Sequence, residues 1–473
     1  MPKTFDELPS VQFTGEDIMS GRFQHLQAKA AREVGPIFKW QIRDGYQPGD
    51  YVYMVGPEAN RFVFHTGREH FSHDLGWTPI IGESFGHGLL NMDDPEHAVH
   101  RQMWNPAFAR AAMESYLPTM RRVIAEQCRT WVERDEVDVY AEAREITFDI
   151  AASALAGFSP GPEVDRLREL FYVLIHGFEP TRETWDEYFA RAMAARNELA
   201  GMLLALIAER RRQPASTARR DVVGAIVHAR DDRGVALSDE QILAHVNILL
   251  VAGHETTTTL AAHTLRMLAL LPEWRRRIEA ELAALRGRGA DEDGETSAKA
   301  PRSAGDLDSF VSDDWEASAE VLRAARDLDN FVKETGRLYP PVLNVPRGVL
   351  TEYEFGGYTV PAGTPVRLGI AAGHLLPDVF AEPERFDPDR FAPPREEDRR
   401  PYALVTFGGG QRICIGINFA QIEVKALVAH VLGRYDLEPV GQEVVHAGHW
   451  TAILRDGIHL RVRPREGVGQ QAA

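Results

Sequence analysis

The longest hydrophobic pattern in the chain covers residues 237–271. Apolar residues dominate it, with His245, Asn247, His254 and Glu255 among the polar ones inside it. Ser238 and Gln241 form a capping box and Leu237 with Ile242 a hydrophobic staple, so a helix is predicted from 239 until Pro272 stops it. Its length is roughly 50 Å at about 1.5 Å per residue, enough to cross the whole molecule. The polar residues inside it exclude a membrane span. Amphipathic periods predict further helices over 142–155, 164–175, 185–211, 328–339 and 418–430. Asp94 and Pro95 read as the cap and first position of another. Strand signals are fewer: 51–55, a short apolar run at 61–64, and hairpin signals in 353–366 and 443–462 with Gly356-Gly357 and Asp456-Gly457. Residues 75–90 are dense in Gly, Pro and aromatics and read as a long apolar loop. The expected architecture is mainly α with a minor β region.

Composition narrows the class. With 473 residues, 44% of them hydrophobic, the chain can bury a large core. A net charge of −17, from 53 basic and 70 acidic residues, argues against a nucleic-acid partner. Two cysteines, Cys128 and Cys414, suit a reducing compartment and no disulfide framework. The first residues, Met1-Pro2-Lys3-Thr4, open no apolar stretch, so a cytoplasmic protein with no membrane anchor is expected. Residues 286–309 are charged and poor in apolar side chains, which predicts a surface insertion.

Three places carry candidate chemistry. The first is Thr406-Phe407-Gly408-Gly409-Gly410-Gln411-Arg412-Ile413-Cys414-Ile415-Gly416, a glycine-rich loop before the 418–430 helix. A helix N-terminus and a nearby guanidinium both favour a thiolate. Such a thiolate can be a nucleophile, a redox thiol or a metal ligand; no second cysteine lies close enough for a redox pair. The second is Ala252-Gly253-His254-Glu255-Thr256-Thr257, where small residues thin the helix wall and an acid and a hydroxyl follow. A zinc helix is ruled out because His-Glu-x-x-His fails at Thr258. The third is Glu334-x-x-Arg337, a pair on one helix face, with Gly336 unexplained between them.

Together these resemble the cytochrome P450 family. Phe407, Gly410, Arg412, Cys414 and Gly416 occupy every fixed position of its haem-binding signature, Phe-x-x-Gly-x-Arg-x-Cys-x-Gly. The run at 252–256 is similar to its oxygen-activation motif, and Glu334, Arg337 and Arg390 to its bracing network. The resemblance spans nearly the whole chain and implies a single haem domain over 1–473. It implies Cys414 as the axial ligand of haem b and Gly408 within the cofactor loop. It also implies His97, Arg101, Arg347 and Arg412 as cations for the haem propionates. Ala252 and Gly253 would open the oxygen site, and Glu255 and Thr256 would deliver protons.

The implied activity inserts one oxygen atom from O2 into an apolar small organic substrate by hydroxylation or epoxidation. Trp77, Phe85, Leu89, Phe178 and Asn247 are candidate pocket residues, as are Val251, Val342, Leu343, Trp450 and Ile453. No Gly-x-Gly-x-x-Gly follows a strand, so electrons are expected from NADPH or NADH through a separate ferredoxin or flavodoxin and its reductase, docking on a face near Lys425, Arg110 and Arg122. The expected state is a monomer. Two rivals are a peroxygenase using hydrogen peroxide, which needs no acid–hydroxyl pair, and a non-catalytic haem sensor, which needs no proton path.

Overall fold

A computed structural model describes residues 2–42, 49–176, 183–214, 221–292 and 317–465. Its main helices are α1 (Glu96–Trp104), α2 (Arg110–Cys128), α3 (Val139–Ile150), α4 (Pro162–His176), α5 (Trp185–Arg212), α6 (Asp239–Leu270), α7 (Pro272–Glu292), α8 (Arg326–Leu338) and α9 (Ile417–Arg434). The predicted long helix is α6. Its Ser238 hydroxyl accepts from the Gln241 N–H at 3.2 Å, and the Gln241 side chain accepts from the Ser238 N–H at 2.9 Å. Helices α3, α5, α8 and α9 all pack on α6. Ile242, Val246, Leu250, Leu260, Leu265 and Leu268 are buried along it, each contributing about 1.5–3 kcal/mol.

The strands are β1 (Ser10–Phe13), β2 (Ile37–Ile42), β3 (Gly49–Val55), β4 (Phe71–Ser72), β5 (Val137–Asp138), β6 (Asn344–Val349), β7 (Tyr353–Phe355), β8 (Tyr358–Val360), β9 (Pro365–Gly369), β10 (Tyr435–Pro439) and β11 (His459–Pro464). The largest sheet has the order β1-β2-β3-β9-β6-β4. Strands β7 and β8 form the hairpin expected at Gly356-Gly357, both glycines having positive φ. The region 443–462 is less regular than its signals suggest. It contributes the start of β11 and isolated bridges, and Asp456-Gly457 is a turn before that strand.

Four local expectations are corrected. Residues Asp74–Phe85 are helical turns rather than a loop, because Gly76 lets them lie on the strand wall: a Cβ there would stand 2.8 Å from the Arg347 Cα. The 61–64 run ends one short helix and begins a π turn. Asp94 does not cap α1, whose N-cap is Pro95; its carboxylate faces His97 and Arg412 instead. The charged segment placed at 286–309 begins inside α7, which continues to Glu292, and 293–316 lie outside the described residues.

One buried network holds α8 to the chain that leads into the cysteine loop. Glu334 receives Arg337 at 2.7 Å and Arg390 at 3.0 Å, and all three side chains are fully buried. Glu334 also accepts from the Asp387 N–H at 2.8 Å. The guanidiniums donate onward, Arg337 to the His374 carbonyl and Arg390 to that of Ala381, both at 2.9 Å. His374 carries the link further: Nδ1 donates to the Arg337 carbonyl and Nε2 accepts from the Val405 N–H, each at 3.1 Å. Both bonds fix the neutral tautomer, and burial, then Arg337, push its pKa down to about 3. Thr406 donates to the Gly336 carbonyl at 3.0 Å. A Cβ on Gly336 would lie 2.9 Å from the Thr406 methyl. The glycine that weakens α8 is what lets the loop seat against it.

Glu334→Ala should therefore cost about 3–5 kcal/mol, because two buried guanidiniums lose their shared counter-ion. Urea unfolding of parent and variant measures it; a loss below about 1 kcal/mol would show the network to be redundant. A second expectation concerns acid. Burial lowers His245, His374, His430 and His449 to about 3 and His446 to about 4, against an ordinary value of 6.5. Between those values the unfolded chain binds more protons than the folded one, so stability is full above about pH 6.5 and falls as pH drops. Melting temperature should decline steeply from pH 6.5 to 5. A flat profile would contradict the buried, neutral state of these rings.

Candidate active site

The loop over 406–416 is held by its own backbone. The Gly408 N–H donates to the Val405 carbonyl at 2.8 Å and the Cys414 N–H to the Phe407 carbonyl at 2.9 Å. Gly410 has φ +62°, and a Cβ there would collide with the Phe64 carbonyl oxygen at 2.2 Å, so only glycine fits. The loop ends at Gly416, the N-cap of α9. Cys414 lies deep among protein atoms yet keeps accessible surface, so it lines an internal cleft. Burial raises its thiol pKa; the Gly416 N–H and the charge of Arg101 oppose that rise. The guanidinium acting on the sulfur is therefore Arg101 rather than its sequence neighbour Arg412. Arg101 reaches this position by donating to the Ile413 carbonyl at 2.9 Å.

On α6, Ala252 is exposed although its helix is otherwise largely buried. Thr256 donates to the Ala252 carbonyl at 2.7 Å and Thr257 to that of Gly253 at 2.8 Å, back-bonds that loosen the helix there. Gly253 relieves no clash, since a Cβ would meet only Leu155 at 3.7 Å. Glu255 faces α3. Its carboxylate is 3.0 Å from His254 Nε2, a bent contact, and 3.7 Å from Arg144 Nε.

Cations gather beside the cysteine loop. Arg347 is 3% exposed, and burial followed by the charge of Arg412 lowers its pKa to about 9. His97 is lowered to about 4 by burial and then Arg412. Arg347 Nε and Arg412 Nη1 are buried without hydrogen-bond partners among the described residues. The acids in reach are Asp93 and a half-exposed Asp94, which stands 3.7 Å from Arg412 and 3.5 Å from His97. Two unsatisfied guanidinium edges call for an anionic ligand. Sequence reading missed His73, whose pKa is depressed by burial and then by Arg347, Arg412 and His97. It stands outside every motif, and only the fold of the 74–85 turns brings it here.

The remaining candidates divide. Leu89 and Val251 are half-buried, and the Leu89 N–H donates to His245 Nδ1 at 3.3 Å, which ties this wall to α6. His245 then donates from Nε2 to His100 Nδ1 at 2.8 Å. Phe85 is buried and stacks on Phe171, and Trp77 is buried. Val342 and Trp450 are half-buried and Ile453 is exposed. Leu343 is corrected: at 1% exposure it packs with Ala371 and Ala452 in a small core of its own, out of reach of a ligand. Asn247 is buried with its Oδ1 unpartnered among the described residues. Phe178 lies outside the described residues. The docking face is corrected at Lys425, which is buried and paired with Asp329 at 2.6 Å. Arg122 is exposed beside Glu126, and the Arg110 side chain lies outside the described residues.

A family model described as cytochrome P450 matches residues 7–456. A protein named cytochrome P450 136 in Mycobacterium tuberculosis is 31% identical over 424 residues, 88% of this chain and 80% of that one. A sterol 14alpha-demethylase of Mycolicibacterium vanbaalenii is 26% identical over 87% of this chain and 86% of its own length. A solved structure of a retinoic acid-bound cyanobacterial cytochrome P450 superposes with a TM-score of 0.79 at 26% identity, covering 98% of this chain and all of that one. No helix among the described residues is long and apolar enough to cross a membrane. With its activity in the monooxygenase class, this chain belongs to the cytochrome P450 family.

Proposed function

We propose that the chain holds haem b on Cys414 and uses O2 to hydroxylate or epoxidise an apolar small molecule. The observation that carries this is the meeting of an accessible, deeply placed cysteine with partnerless guanidinium nitrogens on Arg347 and Arg412. The donor set fits the group: one thiol for the iron, and His97, Arg101, Arg347 and Arg412 for two propionates. Bound there, the haem would supply O2 activation, with the thiolate pushing electron density towards the iron.

The other parts follow from this chain's own residues. Ala252 leaves room beside α6, and Thr256, whose hydroxyl proton is engaged at the Ala252 carbonyl, offers lone pairs to order a water. Glu255 is the nearest acid, held towards His254 and Arg144 until it passes a proton on. Phe85, Leu89 and Val251 make an apolar wall, in keeping with the retinoic acid held by the cyanobacterial relative. Electrons would come from NADPH or NADH through a ferredoxin or flavodoxin and its reductase, to a cytoplasmic monomer.

Two measurements test the reading. The reduced carbon monoxide complex should show the red-shifted Soret band of thiolate ligation, and Cys414→His should lose both band and turnover; a variant that keeps both removes Cys414 as ligand. Thr256→Ala should leave haem loading intact and lower the ratio of product to NAD(P)H consumed, while Glu255→Gln slows the whole cycle by about 100-fold. If both variants match the parent and hydrogen peroxide alone supports full turnover, the peroxygenase reading replaces this one.

A further inference from the structure

His254 is the position that the 252–256 run leaves without a role. Its side chain is fully buried. The ring lies edge-on to Phe148 of α3 at 5.1 Å and 6.3 Å from the ring of Tyr172 on α4. Nδ1 stands 2.7 Å from the Leu250 carbonyl, which can only accept, so Nδ1 carries a hydrogen. Nε2 stands 3.0 Å from Glu255 Oε1 and has no donor to accept from among the described residues. Both ring nitrogens therefore face oxygen atoms. Two other buried histidines differ. His374 donates from Nδ1 but accepts the Val405 N–H at Nε2, and His245 accepts the Leu89 N–H at Nδ1. Those rings are satisfied as neutral imidazoles. His254 is not, because a neutral ring would press its Nε2 lone pair against a carboxylate oxygen out of water.

A proton between Nε2 and Oε1 removes that conflict. The approach is bent, which an ion pair tolerates better than a neutral hydrogen bond does. The titratable and charged groups facing the pair are Arg144 and Tyr140 on α3 and Tyr172 on α4. Burial raises the pKa of both phenols, so both stay protonated and neutral. Burial also works against the charge of Arg144, but Tyr140 and Glu255 outweigh it. Arg144 Nε lies 3.7 Å from the same Oε1 that faces His254. A guanidinium at that distance favours the ionised form of Glu255. The proton of the pair is then left on the ring.

We propose that His254 stores the proton that Glu255 delivers, so that at neutral pH the pair holds one proton resting on Nε2. In delivery the N–H bond at Nε2 breaks and an O–H bond forms at Oε1. Glu255 then gives that proton to the water ordered at Thr256. What remains is a neutral ring, still bonded to the Leu250 carbonyl, and a carboxylate facing Arg144. Glu255, whose side chain is 11% exposed, regains the proton from water. The use in turnover rests on the monooxygenase reading; the stored proton does not. His254 acts only through Glu255 and is a positioning residue.

Nitrogen NMR of isotope-labelled imidazoles in the reduced, carbon monoxide-bound holoprotein reads the proton directly. At neutral pH one ring, absent from the H254Q spectrum, should show protonated-type shifts at both nitrogens. E255Q should return its Nε2 to the shift of an unprotonated nitrogen. That change identifies the ring even if H254Q does not fold. An unprotonated Nε2 in the parent, or an E255Q spectrum identical to the parent's, overturns the proposal. Turnover tests the use. H254Q should load haem and slow product formation by about 100-fold. The double variant H254Q/E255Q should be no slower than E255Q alone, because both residues act on one proton. Losses that multiply overturn the relay from His254. A protonated ring without a thiolate-type carbon monoxide band would defeat the monooxygenase reading and leave the stored proton standing.

Discussion

The carboxylate of Glu334 is the point on which the cysteine loop depends. It is one anion between two guanidiniums, all removed from water; both guanidiniums also donate to backbone carbonyls of distant segments, and Arg390 reaches a second carboxylate, Glu397, at 2.8 Å. A buried pair of this kind is weak evidence for net stability, because desolvation offsets much of the attraction. Its worth lies in geometry. Arg337 fixes the His374 carbonyl, His374 fixes the Val405 N–H, and one residue later Thr406 begins the loop that delivers Cys414. Every step is a hydrogen bond with a single permitted donor and acceptor. The sulfur is thus placed by a chain of directional contacts in addition to apolar packing, which is less directional.

The overall charge of −17 says little about the site. Locally the sign is reversed. Arg101, Arg347 and Arg412 crowd one wall beside a neutral His97, and burial lowers each of their pKa values. Holding cations together out of water is unfavourable unless something anionic joins them. The unmet donors of Arg347 and Arg412 are more informative than any bond the protein makes with itself, because they state the chemistry of the missing partner.

The sequence carried the helical parts of this fold well. The Ser238–Gln241 box, the break at Pro272 and the 3.6-residue pattern marked α6 because capping and periodicity are local. Phe407, Gly410, Arg412 and Cys414 were legible because a tight loop needs fixed residue types at fixed spacing. The misreadings share one cause. Residues 75–90 look like a loop by their glycines and Pro79, but 75–85 coil against β6 through Gly76. Lys425 looks like surface charge, but Asp329, nearly a hundred positions earlier, takes it inside. Gly336 looks like a defect in α8 until Thr406 is set against it. His73 and His374 sit in no motif. Their roles come from groups that only the tertiary fold brings near, and composition has no access to those.

Helix α6 shows how far that dependence goes. Core helices do not tolerate Thr, His and Glu in succession unless each finds a partner. Here α3 supplies the partners. Thr147 meets the Thr258 hydroxyl at 2.7 Å and donates to the His254 carbonyl, Phe148 packs edge-on against the His254 ring, and Arg144 faces Glu255. Arg144 also donates to Tyr140 on the same helix at 2.9 Å, so its own charge is shared. The polar segment of α6 is therefore affordable only because a second helix, more than a hundred residues earlier, carries the complementary set in the right phase. The motif names the polar residues; α3 decides whether a helix bearing them can lie in the core at all.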